Sequence, residues 1–200
     1  QQDGAQVIAA TLGSQFDQLG IMIIVISMMG IIQSDKANGM LDFILTRPVK
    51  VGAYIGGKLL SNFSFIAISV MLGYFVSYVY VNFLFNNIPF LEMILAIVFY
   101  LIWVLFILCF TFMISTIFNG QGVIALISIV CLLIFKIFSG LHPIIDLLNP
   151  AGMSQHAMMV LITGSIDSHL YGNMFITLVW ITLTVTFSHY WISEMKYHKN

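Results

Sequence analysis

The sequence predicts an all-α polytopic membrane helical bundle, and three observations carry that expectation. Its residues are 60% hydrophobic and 8% charged, whereas a soluble domain is about a quarter charged. Five stretches approach the roughly 20 apolar residues that cross about 30 Å of hydrocarbon. Between and after them, the lysines and arginine fall on one side of the alternating loops, as the positive-inside rule requires. The whole chain, 1–200, reads as a single transmembrane domain whose immediate partner is the lipid bilayer. A net charge of −1 and the lack of a basic patch exclude nucleic acid as a partner. Cys109 and Cys131 lie within apolar runs and have neither metal-site nor disulfide spacing.

The first span is read over residues 13–32, with a strongly apolar core from Leu19 to Ile32 and a start diluted by Gln15, Asp17 and Gln18. The second, 59–81, carries Ser61, Ser64, Ser69 and Gly73, small residues that permit close helix approach. The third, 93–118, begins a turn or so after Phe90, just past Glu92. The fourth, 123–138, is short and holds Lys136 near its end. The fifth, 174–191, has Trp180, Tyr190 and Trp191 as interfacial anchors. Breaks at Asn86–Pro89, Asn119–Gly122 and across 139–173 separate them.

Lys36, Arg47, Lys50 and Lys58 fall between spans one and two, and Lys196 and Lys199 follow span five. The loops 82–89 and 139–173 contain neither lysine nor arginine. The segment 33–58 and the C-terminus are therefore expected in the cytoplasm, with 139–173 outside. Five spans with an inner C-terminus would put Gln1 outside, so the chain is read as five spans of six, the missing one upstream.

A charge at mid-bilayer costs on the order of 2.5–3.5 kcal/mol on insertion scales, but Lys136 stands near a span end and is expected to snorkel. Asp17 is expected in a wetted helix start. His142, His156, His169, Asp146 and Asp167 share the outer segment, yet their spacings match no ligand set, so no metal is expected. Ser165 lies in a loop, where an intramembrane nucleophile would not be. The span middles are nearly free of charge, which disfavours a secondary transporter or channel binding coupling ions there. That class remains the alternative; a membrane enzyme lacks the convergent polar cluster it would need.

The stretch between spans one and two is the most informative. Met40, Leu41, Phe43, Ile44 and Leu45 form an apolar arc, with Asn38, Gly39, Asp42 and Thr46 opposite. Such a helix suits a membrane surface or a partner's groove, and its plainer reading is a linker between spans. Pro48 stops it. Gly56-Gly57-Lys58 then leads into span two, with Lys58 expected to snorkel.

The run Asp35-Lys36-Ala37-Asn38-Gly39-Met40-Leu41-Asp42-Phe43-Ile44-Leu45-Thr46-Arg47-Pro48-Val49 resembles the signature of type-2 ABC exporter permeases. That signature is an acidic–basic pair, Gly-Thr, Leu-Glu, a short apolar run and Pro-Val. Tyr54-Ile55-Gly56-Gly57-Lys58-Leu59-Leu60 is similar to the family's lead into the next span. Asp replaces Glu at Asp35 and Asp42, and Met40 stands where Thr is usual. The resemblance implies a transport subunit that does no ATP chemistry, and the chain has no Gly-x-x-x-x-Gly-Lys-Ser/Thr phosphate loop. It implies no cofactor in this chain, with ATP and Mg bound by cytoplasmic ABC ATPase subunits docked on 33–58. It further implies a second permease, the same or a related chain, with spans one and four the expected shared surface through Gly20, Ser27 and Gly30. Asp35, Gly39, Leu41, Asp42, Phe43, Ile44 and Pro48 become the coupling residues. Leu41, Phe43 and Ile44 would fill a groove in the ATPase, and Asp35 and Asp42 would meet its basic rim. The segment 139–173 corresponds to a re-entrant outer element, and Gly140, Pro143, Pro150 and Gly152 fit broken helix. A bacterial cell membrane and an amphipathic peptide substrate complete the expectation.

Overall fold

A computed structural model describes residues 6–7, 10, 17–46, 50–85, 90–139 and 141–197. Among them the helices are α1 (Gly20–Met28), α2 (Gln33–Ala37), α3 (Met40–Thr46), α4 (Val51–Phe85), α5 (Phe90–Ile117), α6 (Gln121–Phe138), α7 (Pro143–Leu148), α8 (Gly152–Thr163) and α9 (His169–Tyr197). No strand occurs among the described residues. Five helical segments are long and apolar enough to cross a membrane: Asp17–Ala37, Val51–Leu84, Phe90–Ile117, Gln121–Phe138 and His169–Met195.

The expected all-α bundle is what forms, with longer helices than the apolar runs alone suggest. Hydropathy marks only what must sit in hydrocarbon, whereas a helix continues until its capping or turn chemistry ends it. The first membrane segment runs on through α2 to Ala37. At its other end the expected residues 13–16 lie outside the described ones. The α4 helix already begins at Val51, so 51–58 belongs to it rather than to a connecting loop. At 35 residues it is about 50 Å long, well beyond the roughly 30 Å hydrocarbon thickness.

The core lies on α5. Phe99, Tyr100, Trp103, Phe106, Ile107, Leu108 and Phe112 are all buried there, and α1, α4, α6, α8 and α9 pack around it. The peripheral helices turn apolar side chains outward instead, among them Phe65, Leu72 and Val76 on α4, Leu126 and Ile137 on α6, and Phe175 and Leu183 on α9. Water would penalise such a surface and lipid does not, so these helices can be apolar all round. An aromatic wall joins α5, α6 and α9. Phe106 stacks on Trp103 at 5.6 Å between centroids and meets Phe135 edge-on at 5.8 Å and Trp180 at 6.5 Å.

The expected broken helix over 139–173 is a hairpin, α7 followed by α8. Pro143 at the start of α7 suits a helix N-terminus, and the Ile144 N–H donates to His142 Nδ1 at 3.3 Å. Gly140 lies outside the described residues. Pro150 stands in the turn, where Asn149 Oδ1 accepts from the Ala151 N–H at 3.0 Å and Asn149 Nδ2 donates to Phe135 O at 2.6 Å. The last helix holds the hairpin down. Asn173 Nδ2 donates to the carbonyls of Asp146, Leu147 and Asn149 at 2.6, 3.1 and 2.9 Å, and Trp180 Nε1 to that of Leu148 at 3.2 Å. These are carbonyls that α7 cannot satisfy within itself. Gly152 makes the approach possible, since a Cβ there would lie 2.8 Å from Asp146 O and 3.0 Å from Asn173 Nδ2.

Two expectations about charge are corrected. Asp17 is not in a wetted helix start: it is 1% exposed. Lys136 does not snorkel; its Nζ is ion-paired to Asp17 Oδ2 and donates to Ser154 Oγ at 2.7 Å. Trp103 Nε1 donates to the other oxygen, Asp17 Oδ1, at 3.1 Å. An unpaired charge in a dry bundle is far costlier than a paired one, and the chain supplies its own partner.

Candidate functional site

Those of the residues singled out from the sequence that the structure describes gather at one end of the bundle, the basic end, where α2, α3 and the beginning of α4 meet the end of α5. The turn between α2 and α3 explains the glycine of the motif. Gly39 has φ +67°, a left-handed conformation that a side chain disfavours, and its N–H donates to Lys36 O at 3.3 Å to close α2. The chain then reverses into α3.

Two neighbouring residues of α2 fasten this turn to two different helices. Lys36 Nζ reaches the end of α5, donating to Ser115 O at 3.1 Å, Thr116 O at 2.7 Å, Phe118 O at 3.5 Å and Asn119 Oδ1 at 3.2 Å. The last carbonyls of a helix lack intrahelical donors and carry the negative end of its dipole, so an ammonium ion satisfies both the hydrogen bonds and the charge. Asp35 turns the other way. Tyr54 donates its hydroxyl to Asp35 Oδ2 at 2.6 Å, and Lys58 forms an ion pair with the same oxygen at 2.8 Å. Lys58 also donates to Ile31 O at 3.3 Å. The acidic–basic pair therefore ties α2 to α4 through Asp35 and to α5 through Lys36.

This geometry revises several expectations. Asp35, expected at the rim of a partner's groove, is 6% exposed and already paired within the chain. Lys58, expected to snorkel, is spent on that pair. Leu41, expected to project, is 3% exposed and belongs to the chain's own core. Gly39 and Asp42 do lie on the surface, beside exposed Asn38, Met40 and Thr46. The backbone of Phe43 and Ile44 is in α3, while their side chains, like all of Pro48, lie outside the described residues. Tyr54 was not foreseen. Its signal was legible in the spacing: Tyr54 and Lys58 stand one turn apart at i, i+4 and so share a helix face.

The hairpin end is polar; among the described residues no group of three or more His, Cys, Asp or Glu side chains is placed to hold a metal ion. His156 on α8 is half-buried, and desolvation pushes its pKa down. The backbone N–H of His169 holds the exposed Asp167 carboxyl below its usual range. Between α1 and α4 lies an apolar groove of about 420 Å³, lined by Gly20, Ile23, Ser27, Phe65, Ser69 and Tyr100.

Both features, the fastened turn and the α7–α8 hairpin, fall inside a single family match. Residues 16–195 fit the model described as ABC-2 family transporter protein. The chain belongs to the ABC-2 transporter family. It is a multi-pass membrane protein and a membrane component of the ABC type. This ABC-2 chain is also 34% identical over 122 residues to a protein of Bacillus subtilis (strain 168) described as "Uncharacterized transmembrane protein YxlG". The match covers 61% of the ABC-2 chain and 47% of that relative, so it spans about half the relative's length.

Proposed function

We propose that this chain is the permease subunit of an ATP-binding cassette exporter, and that the turn bearing Asn38, Gly39, Met40 and Asp42 receives the push of a separate cytoplasmic ATPase. The observation that carries it is the double fastening at Asp35 and Lys36. A partner pressing on α3 moves α2, and α2 cannot move without pulling on α4 through Tyr54 and Lys58 and on α5 through its last carbonyls. A docking event thereby becomes helix displacement, which is what a conformational change driven by differential contacts requires. Burial of Asp35 and Leu41 moves the docking surface from the arc read in the sequence to the exposed tip and Asp42. Phe43 and Ile44 are kept as its apolar contribution.

The one-sided lysines orient this end and the C-terminus toward the cytoplasm and the hairpin outward, in a bacterial cell membrane. Two permeases, identical or related, would pair, and ATP and Mg would be bound by the ATPase subunits. The apolar groove between α1 and α4 suits an amphipathic substrate such as a peptide. The rival secondary-transporter reading gains one observation, the buried Asp17–Lys136 pair. That pair is mutually satisfied, however, whereas a coupling-ion site needs a carboxylate free to take the ion.

The test is co-purification with the ATPase and its ATP hydrolysis in nanodiscs. Asp42→Lys and Phe43→Ala are expected to lower retained ATPase at least tenfold while leaving membrane insertion unchanged, since a desolvated aromatic anchor carries much of such a contact and charge reversal repels the partner. Normal assembly and hydrolysis in both variants would reduce the segment to a linker.

A further inference from the structure

A second charged cluster, around Asp17, has no role in the docking account. Asp17 lies at the start of the first membrane segment, Lys136 near the end of α6, Trp103 about 20 Å along α5 from Phe90, and Ser154 in the first turn of α8. Each carboxylate oxygen has a donor: Trp103 holds Oδ1 and Lys136 holds Oδ2. Lys136 spends a further proton on Ser154 Oγ, which itself donates to Ala151 O at 2.9 Å. Asp17, Trp103 and Ser154 are at most 1% exposed. The cluster thus links the first membrane segment, two further spans and the re-entrant hairpin at a single level, and Lys136 is the only tie among the described contacts that bridges Asp17 to the hairpin.

We propose that the Asp17–Lys136 pair with Ser154 is a releasable latch between the first membrane segment and the re-entrant hairpin. It holds α8 down on the bundle in the conformation seen here and parts when the bundle opens. An ion pair suits release better than an apolar contact would. Its attraction is strong while the site is dry and collapses once water raises the local dielectric constant, whereas packed hydrocarbon gains nothing from wetting. Each half, once parted, is a charge that water stabilises, so closed and open states are both supported by the same two residues. The other side-chain anchors, Asn173 and Trp180 on the last helix and Asn149 Nδ2 on Phe135 O of α6, hold α7 and the turn rather than α8, so α8 can move without detaching the turn. The latch itself rests only on the contacts around Asp17. Its opening by ATP rests on the exporter reading above.

The experiment is amide hydrogen exchange over Gly152–Thr163 in the full chain in phospholipid nanodiscs, alone and with its co-purifying ATPase trapped by ATP and vanadate. Without ATPase, Asp17→Asn and Lys136→Met are each expected to speed exchange in α8 at least tenfold. The swap Asp17→Lys with Lys136→Asp is expected to return it to within about threefold of native, which excludes simple misfolding as the cause. The apolar pair Asp17→Leu with Lys136→Met is expected to stay slow in both conditions, while the native chain speeds up on trapping. Single variants within twofold of native would overturn the latch, and so would an apolar pair that opens on trapping as the native chain does. A native chain whose exchange no ATPase alters, with Asp17→Asn still fast, would remove the exporter reading and leave the latch in place.

Discussion

Asn173→Asp is expected to destabilise the folded chain by about 2–5 kcal/mol, although it changes the side chain's shape hardly at all. Asn173 is completely buried, and its two amide N–H protons are shared among the carbonyls of Asp146, Leu147 and Asn149. A carboxylate supplies none and faces three oxygens instead. Each buried acceptor left without a donor costs about 1–3 kcal/mol, and the bilayer interior offers little water in compensation. Asn173→Leu should fall about as far, for it too lacks the donors. At about 2–4 °C per kcal/mol for a chain of this length, thermal unfolding in nanodiscs should shift down by roughly 5–15 °C in both. A shift within 2 °C for Asn173→Asp would mean that packing rather than hydrogen bonding holds the hairpin.

The second large effect belongs to Lys36→Met. The substitution keeps an unbranched apolar stem and removes the ammonium ion that caps α5. Charged hydrogen bonds contribute about 1.5–3 kcal/mol each where buried, and a cation at a helix C-terminus about 0.3–1 kcal/mol more at exposed sites. With Lys36 only part-buried and its four contacts shared among three protons, a loss of about 2–3 kcal/mol is expected. The functional loss should be larger than the stability loss. Without the cap, α2 no longer pulls on α5, so the ATPase should still bind but hydrolyse ATP independently of the permease. Lys36→Arg, which keeps the charge, should restore much of the coupling. Normal coupling in a stable Lys36→Met complex would show that motion reaches the bundle only through α4.

The two predictions also mark what was and was not legible in the sequence. The spans were, because a run of apolar residues has one physical home and composition alone names it. The turn at Gly39 was not, for the reading placed that glycine on the polar face of one helix, and the left-handed φ shows a break between α2 and α3 instead. The partners of Lys36 and Asn173 were not, since hydrogen-bond pairing between distant segments leaves no periodic trace. Asp17 and Lys136 could have been paired. Both stood out as lone charges in apolar spans, their signs are opposite, and alternating topology puts the start of the first span and the end of the fourth at the same end. Snorkelling is the answer for an isolated helix; in a bundle, the competing answer is another charge at equal depth. Amphipathicity misdirected the reading of Leu41 in a related way. An apolar arc identifies the face that will be buried, and α3 buries Leu41 against its own chain.

The central claim is that the exposed tip between α2 and α3 is where an ATPase acts. A photoreactive amino acid placed at Asp42, and separately at Ser168 in the turn before α9, tests it most directly in intact cells expressing the chain with its native neighbours. Irradiation at position 42 is expected to yield a covalent adduct whose partner, read by mass spectrometry, carries a Gly-x-x-x-x-Gly-Lys-Ser/Thr phosphate loop, with no such adduct at position 168. An ATPase captured at 168 and absent at 42 would invert the orientation, and capture at neither would leave the chain without the partner on which its proposed function depends.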